Sequence, residues 1–184
     1  MNEPIIYSIK EVETMLAARK CLGTVDWELP EDTLPPVRDT IGERSAKWLA
    51  YPSEPDTEML FSVEPRFDTE VGAFSLTLHG RIKPTGWQAI SRYDMHATSH
   101  ENKAFCPGGV IEVPPGALHR HTYSEESMRR LGRWHSCAEI LAIPKPIPIP
   151  SERRLFLKRI FLDGMRIQLV DADAYRAMME IDQK

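Results

Sequence analysis

Apolar residues recur at helical spacing near the start of the chain and at strand-like spacing through its middle. Val12, Met15 and Leu16 share one side of a helix behind Ser8-Ile9-Lys10-Glu11. That tetrad is a capping box: the serine accepts from the third helical amide and the glutamate reaches back to the serine. The spacing predicts a short amphipathic helix over 8–20, stopped near Gly23. Residues 24–38 hold Pro30, Pro35, Pro36 and much acid, which predicts a loop or extended arm. Residues 39–51, with Ile41, Lys47, Trp48 and Leu49, predict a second helix, and 52–57 another loop.

The pattern then changes. Met59–Val63, Ala73–Leu78, Gln88–Tyr93 and Val110–Val113 are short, rich in branched or aromatic residues, and separated by turn residues. Lys83-Pro84-Thr85-Gly86 predicts a hairpin turn between the second and third. Ser124 or Ser127 can cap a short helix through Arg130, and Cys137–Ile143 suits a buried strand or helical turn. Pro144 to Pro150 alternates proline with other residues and predicts an extended strap, since proline cannot donate to a ladder. The segment from Arg153 to Leu162 is apolar at Leu155, Phe156, Ile160 and Phe161. Gly164 breaks it, Arg166–Val170 alternates, and Ala172–Ile181 predicts a terminal helix. The expected fold is α+β, a curved antiparallel meander with N- and C-terminal helices. It forms one domain over 1–184: a helix-and-loop region to 58, a β-rich core over 59–143, the strap at 144–150, and a terminal region from 151.

Bulk properties narrow the picture. The chain has 184 residues with 42% hydrophobic and 27% charged content, ordinary for a globular domain with a real core. A net charge of −4 argues against coating nucleic acid by bulk charge. It leaves room for a local basic groove at Arg129, Arg130 and Arg133. No apolar run is long enough to span a bilayer, and Met-Asn-Glu-Pro does not read as a signal peptide. Cys21, Cys106 and Cys137 form no CxxC pair, which suits small buried apolar residues in a reducing, cytoplasmic setting (host cytoplasm if phage-borne).

The candidate chemistry is concentrated. Five of the six histidines lie between His96 and His135, two of them in His119-Arg120-His121. Imidazole titrates near neutrality and is the commonest metal ligand. In a strand, His119 and His121 project to one face and can act as a base and an acid, as RNA transesterification requires. Arg92 can hold a phosphate, while Tyr93, Asp94, His100 and Tyr123 complete the candidate catalytic set. Asn102, Arg129, Arg130 and Arg133 are candidate substrate contacts. This chemistry needs no cofactor. The same atoms also suit one divalent transition metal such as zinc, held by His100, His119, His121 and Glu125. His79 and His135 suit surface or packing roles.

Two family resemblances follow from these residues. Gly108, Pro114, Gly116 and His119 stand at the offsets of the second cupin motif, with Tyr123 in place of its asparagine. His119, His121 and Glu125, with Gly132 beyond, resemble the first cupin motif instead. One segment cannot be both, and no first motif precedes it. Arg92-Tyr93-Asp94, His100, Asn102 and His119-x-His121 with Tyr123 resemble the TumE-type toxins of toxin–antitoxin modules and related mobile-element proteins. That likeness spans residues 73–143, and the link from Lys103 to Leu118 is longer here. It implies a ribonuclease-like protein acting on RNA or other nucleic acid, with a cognate antitoxin or host protein as partner and a homodimer left open. The alternatives are a cupin-like metal enzyme, or a non-enzymatic phage-type inhibitor using the acidic stretches 24–38 and 52–58.

Overall fold

A computed structural model describes residues 6–22, 44–45, 48–52, 59–68, 73–82, 86–96, 98–101, 106, 112–131, 137–142, 147 and 149–180. The acidic arm at 24–38, most of 52–58, Asn102, Gly108, Gly109, Gly132, Arg133, His135 and most of the strap lie outside them.

Helix α1 (Ile9–Ala17) starts at the expected capping box. Ser8 Oγ accepts from the Glu11 amide at 3.3 Å and Glu11 accepts from the Ser8 amide at 2.7 Å. It ends early because Lys20 opens strand β1 (Lys20–Leu22). The helix expected over 39–51 gives way to strands β2 (Arg44–Ser45) and β3 (Trp48–Pro52). Both lie antiparallel to β4 (Met59–Asp68). Trp48 and Tyr51 favour strand, and pairing with β4 outweighs a weak helical spacing.

β4, β5 (Ala73–Ile82) and β6 (Gln88–Met95) form the predicted meander. After it come β7 (His100–Glu101), β8 (Glu112–Val113), β9 (Leu118–Thr122), α2 (Glu125–Leu131) and β10 (Cys137–Ile140). The chain ends with α3 (Pro150–Gly164), β11 (Ile167–Leu169) and α4 (Ala172–Glu180). Ser124, not Ser127, caps α2, its Oγ accepting from the Ser127 amide at 3.2 Å. The last proline of the strap is Pro150, which opens α3, where a missing amide hydrogen costs nothing. Arg166 follows α3 at φ 55°, the left-handed conformation that lets the chain turn into β11.

The fold is α+β. Among the described residues, the strands form one open sheet in the order β10-β9-β6-β5-β4-β3-β1-β11, with β2 also on β4. Neighbours are antiparallel except at the far edge, where β11 runs parallel to β1. β7 and β8 form a separate two-stranded ribbon.

Residues directly opposite in an antiparallel pair share a face, as do residues two apart along a strand. Pro65, Leu76 and Tyr93 therefore form one row, and Val63 and Leu78 another. This face packs under the helices: the Phe161 ring of α3 meets Tyr93 edge-on at 5.5 Å, and Leu157, Phe161 and Met178 are fully buried. Gly164 allows that approach, since a Cβ there would sit 2.5 Å from Tyr93 Oη. On the opposite face, Glu64, Thr77, Arg92 and His121 form one row, and Arg66, Ser75, Asp94 and His119 the next.

Two buried lysines complete the frame. Lys20 Nζ donates to the carbonyls of Ala18 at 2.8 Å and Met165 at 2.9 Å, over the Phe61 ring. Lys158 Nζ donates to the Met179 carbonyl at 2.8 Å and so ties α3 to α4. Each charge is therefore buried with acceptors already in place.

Candidate functional site

The site grows out of the register of β6 against β9. Asp94 lies directly opposite His119, and Arg92 opposite His121. All four side chains therefore leave the sheet on the same face. Alternation turns the intervening Tyr93 and Arg120 to the helix-covered side, where Arg120 pairs with Glu139 of β10.

Asp94 is the hub. Its Oδ1 meets His119 Nε2 in a short contact and lies 3.3 Å from His121 Nε2. Its Oδ2 lies 2.7 Å from Arg92 Nε and 3.7 Å from His96 Nε2. His100 reaches the cluster from the ribbon, its ring centre 4.7 Å from that of His119 and 5.5 Å from that of His121. His96 sits at the rim with its ring 6.4 Å from His119.

Burial is graded. The Asp94 and His119 side chains are 0% exposed and that of His121 is 6%, whereas Arg92 is 29% and His96 44% exposed. The deep end is dry and the rim is wet.

Protonation follows from the partners. His119 Nδ1 lies 2.8 Å from the Ala117 carbonyl oxygen. A carbonyl can only accept, so Nδ1 donates to it and Nε2 is left facing the Asp94 carboxylate. A hydrogen on Nε2 donates to Asp94 there; a bare Nε2 would need a metal ion beside the carboxylate instead.

Burial raises the Asp94 carboxyl pKa. Hydrogen bonds from His119 and His121 and the charge of Arg92 outweigh it, leaving the group far below the usual carboxylate range. Burial and the like charge of its histidine neighbours push His100 down to about 4. Burial also lowers His96 and His121, with Asp94 opposing in both cases. Lowering of His100 and His121 beside an ionised carboxylate favours the neutral imidazoles that metal ligation requires.

The ligand-capable nitrogens of His100, His119 and His121 all lie within 4.8 Å of one another. Glu125, the carboxylate singled out with them in the sequence, instead accepts from Arg129 on its own helix at 3.1 Å. Arg129 and Arg130 sit on the outer side of α2, 62% and 60% exposed, in pairs with Glu125 and Glu126. Tyr123 Oη bonds the Tyr7 amide at 3.0 Å and its carbonyl at 2.9 Å, pinning the N-terminal segment. Tyr93 belongs to the packed face. His79 pairs with Glu64 at 3.0 Å. Of the catalytic set expected from sequence, Arg92, Asp94, His100, His119 and His121 meet, while Tyr93 and Tyr123 do not join them.

Two backbone supports lie in the turn before β9, where the cupin-like spacing marks Gly116. The Ala117 carbonyl holds His119, and the Gly116 amide, at φ 73°, donates to the His96 carbonyl at 2.7 Å, closing the excursion between β6 and β9. A third corrects the expectation of reduced cysteines. Cys106 and Cys137 form a disulfide across 31 residues with Cα atoms 5.3 Å apart, leaving Cys21 free. Their proximity is one that sequence spacing does not reveal.

Compared with known proteins, the chain matches no family model, no curated protein and no solved structure. No helix among the described residues is long and apolar enough to cross a membrane.

Proposed function

We propose that His100, His119 and His121 hold one divalent transition metal of the zinc class in a catalytic centre, and that its substrate is a nucleic-acid phosphodiester. The carrying observation is that ligand-capable nitrogens of His100, His119 and His121 lie within 4.8 Å of one another, with His119 and His121 buried against Asp94. A nitrogen whose ring partner donates to a backbone carbonyl is the usual form of a metal-ligating histidine. Three histidines leave a fourth position for water, whose pKa a zinc-class ion lowers to near neutrality. Asp94 balances the ion's charge and fixes the rings, and Arg92 and His96 at the rim suit an anionic substrate.

Nucleic acid as the substrate rests on the likeness to TumE-type toxins, five of whose pattern residues (Arg92, Asp94, His100, His119 and His121) belong to this cluster. An antitoxin or host-protein partner rests on the same likeness.

Metal-free RNA cleavage by the histidine pair is the second reading, favoured by the Asp94–His119 contact, which suits an oriented imidazolium. It requires a substrate hydroxyl to reach rings that are almost wholly enclosed.

Cleavage of a mixed RNA pool with and without EDTA, beside cobalt(II) titration of untagged protein, separates the two. Loss of cleavage in EDTA with recovery on adding zinc supports the metal centre. Cleavage that survives EDTA and dies in His121→Ala supports the metal-free pair. Absence of both cobalt binding and cleavage overturns the proposal.

A further inference from the structure

The three imidazoles do not stand on one platform. His119 and His121 belong to β9, laddered on both sides by β6 and β10. His100 belongs to β7, which among the described residues ladders to β8 alone, in a ribbon outside the main sheet. A two-stranded ribbon is marginal by itself, so its position over β9 depends on what ties it down.

Among the described residues Val113, directly opposite His100, is buried, and two bonds add to that packing. One is the Gly116–His96 backbone hydrogen bond at the base of the excursion. The other is the Cys106–Cys137 disulfide, which starts six residues after His100 and ends on β10, beside the residue that faces His121. Among the described residues β10 is the outermost strand, and both cysteines are buried there, 5% and 7% exposed, so a reductant reaches the bond as that edge opens. The covalent tie joins the ribbon carrying the third imidazole to the strand flanking the other two.

We propose that the Cys106–Cys137 disulfide is a redox latch that sets the position of His100, and that its reduction releases one of three metal ligands. The proposal rests on the metal centre put forward above. The reductant is a dithiol, small-molecule or protein. One of its thiolates attacks a sulfur of the disulfide and forms a mixed disulfide, and its second thiol displaces the remaining cysteine. The reductant leaves as a cyclic disulfide, and Cys106 and Cys137 each gain one electron and one proton. Without the latch His100 keeps, among the described residues, the packing of Val113 and the backbone tie but loses its covalent link to β10, and the site falls toward two ligands. A supporting contact of this kind is worth about 10–100-fold in metal affinity.

The test uses the full chain, purified in air, before and after dithiol reduction and anaerobic removal of the reductant. Thiol titration in denaturant should give one thiol per chain before reduction and three after. Cobalt(II) affinity should fall about 10–100-fold on reduction and in Cys137→Ser, and return on reoxidation of the native chain only. Amide exchange at His100 and Val113 should quicken on reduction while β9 stays protected. Three thiols in the air-purified protein, or unchanged exchange at the ribbon, overturns the latch. So does equal cobalt affinity in the two states. If the oxidised protein binds no cobalt, the metal proposal fails instead, and the exchange measurement still decides the latch.

Discussion

The two faces of the central sheet are built from the same strands and solve opposite problems. On the face under α3 and α4, Leu76, Leu78 and Phe161 are sealed from water by nothing more specific than apolar contact. On the other face Asp94, His119 and His121 are nearly as buried, yet each carries a charge or a lone pair that must meet a partner. The first face tolerates changes that preserve volume. The second depends on register, because a one-residue slip of β9 would send both histidines under the helices. Burial alone therefore does not distinguish core from site. What distinguishes them is whether the buried groups still need something.

The contrast can be broken from either side. Phe161→Ala should cost about 3–5 kcal/mol in urea unfolding, while the fraction still folded keeps its cobalt affinity. A parallel loss of affinity would mean that the faces are not separable. His121→Ala should do the reverse, weakening cobalt(II) about 100-fold, or about 2.7 kcal/mol, with a far smaller change in the midpoint of unfolding. Gly164→Ala presses a methyl on Tyr93 and should cost about 1–3 kcal/mol, again without touching metal affinity.

Acid should act through the polar face. Between about pH 4, where His100 titrates in the folded protein, and its ordinary value of 6.5, the unfolded chain binds more protons. Thermal stability of the metal-free protein should therefore fall as pH drops from 6.5 to 4, with a shallower fall in His100→Ala. Lys20, lowered to about 7 by burial and the Arg166 charge, makes it rise above pH 7. Asp94 adds its loss only below the ordinary carboxylate value of 3.8. The smallest effect belongs to neither face: Glu126→Gln on the outside of α2 should change stability by only ~0.3 kcal/mol, less in high salt.

Much of this was legible in the chain. The alternation over β5 and β6 specified strands, and the His-x-His spacing put two imidazoles on one face wherever β9 lay. The capping box at Ser8 and the terminal helix followed local rules and appear within a few residues of their expected limits. Less accessible was anything that depends on which strands become neighbours. Asp94 became the hub because β6 and β9 pair across a connection of more than twenty residues. Tyr93 and Tyr123 looked catalytic by their closeness in sequence to the histidines. Alternation turned Tyr93 to the helices, and Tyr123, just past the end of β9, closes on Tyr7 instead. The stretch 39–51 was misleading because its helical spacing is weak and its partner β4 lies further along the chain. The disulfide was hidden for the same reason, since its cysteines are 31 residues apart and meet only in the fold.

The parallel pairing of β1 with β11 gives the molecule an order of assembly. Lys20 takes one of its three carbonyl acceptors from Met165, 145 residues away. On the ribosome the meander and its histidines can pair as they emerge, each strand finding a neighbour made moments before. The β1 edge has to wait for nearly the whole chain, its lysine short of an acceptor in the meantime. Such distant closure slows folding. The histidine-bearing strands can therefore come together well before the edge that completes the sheet.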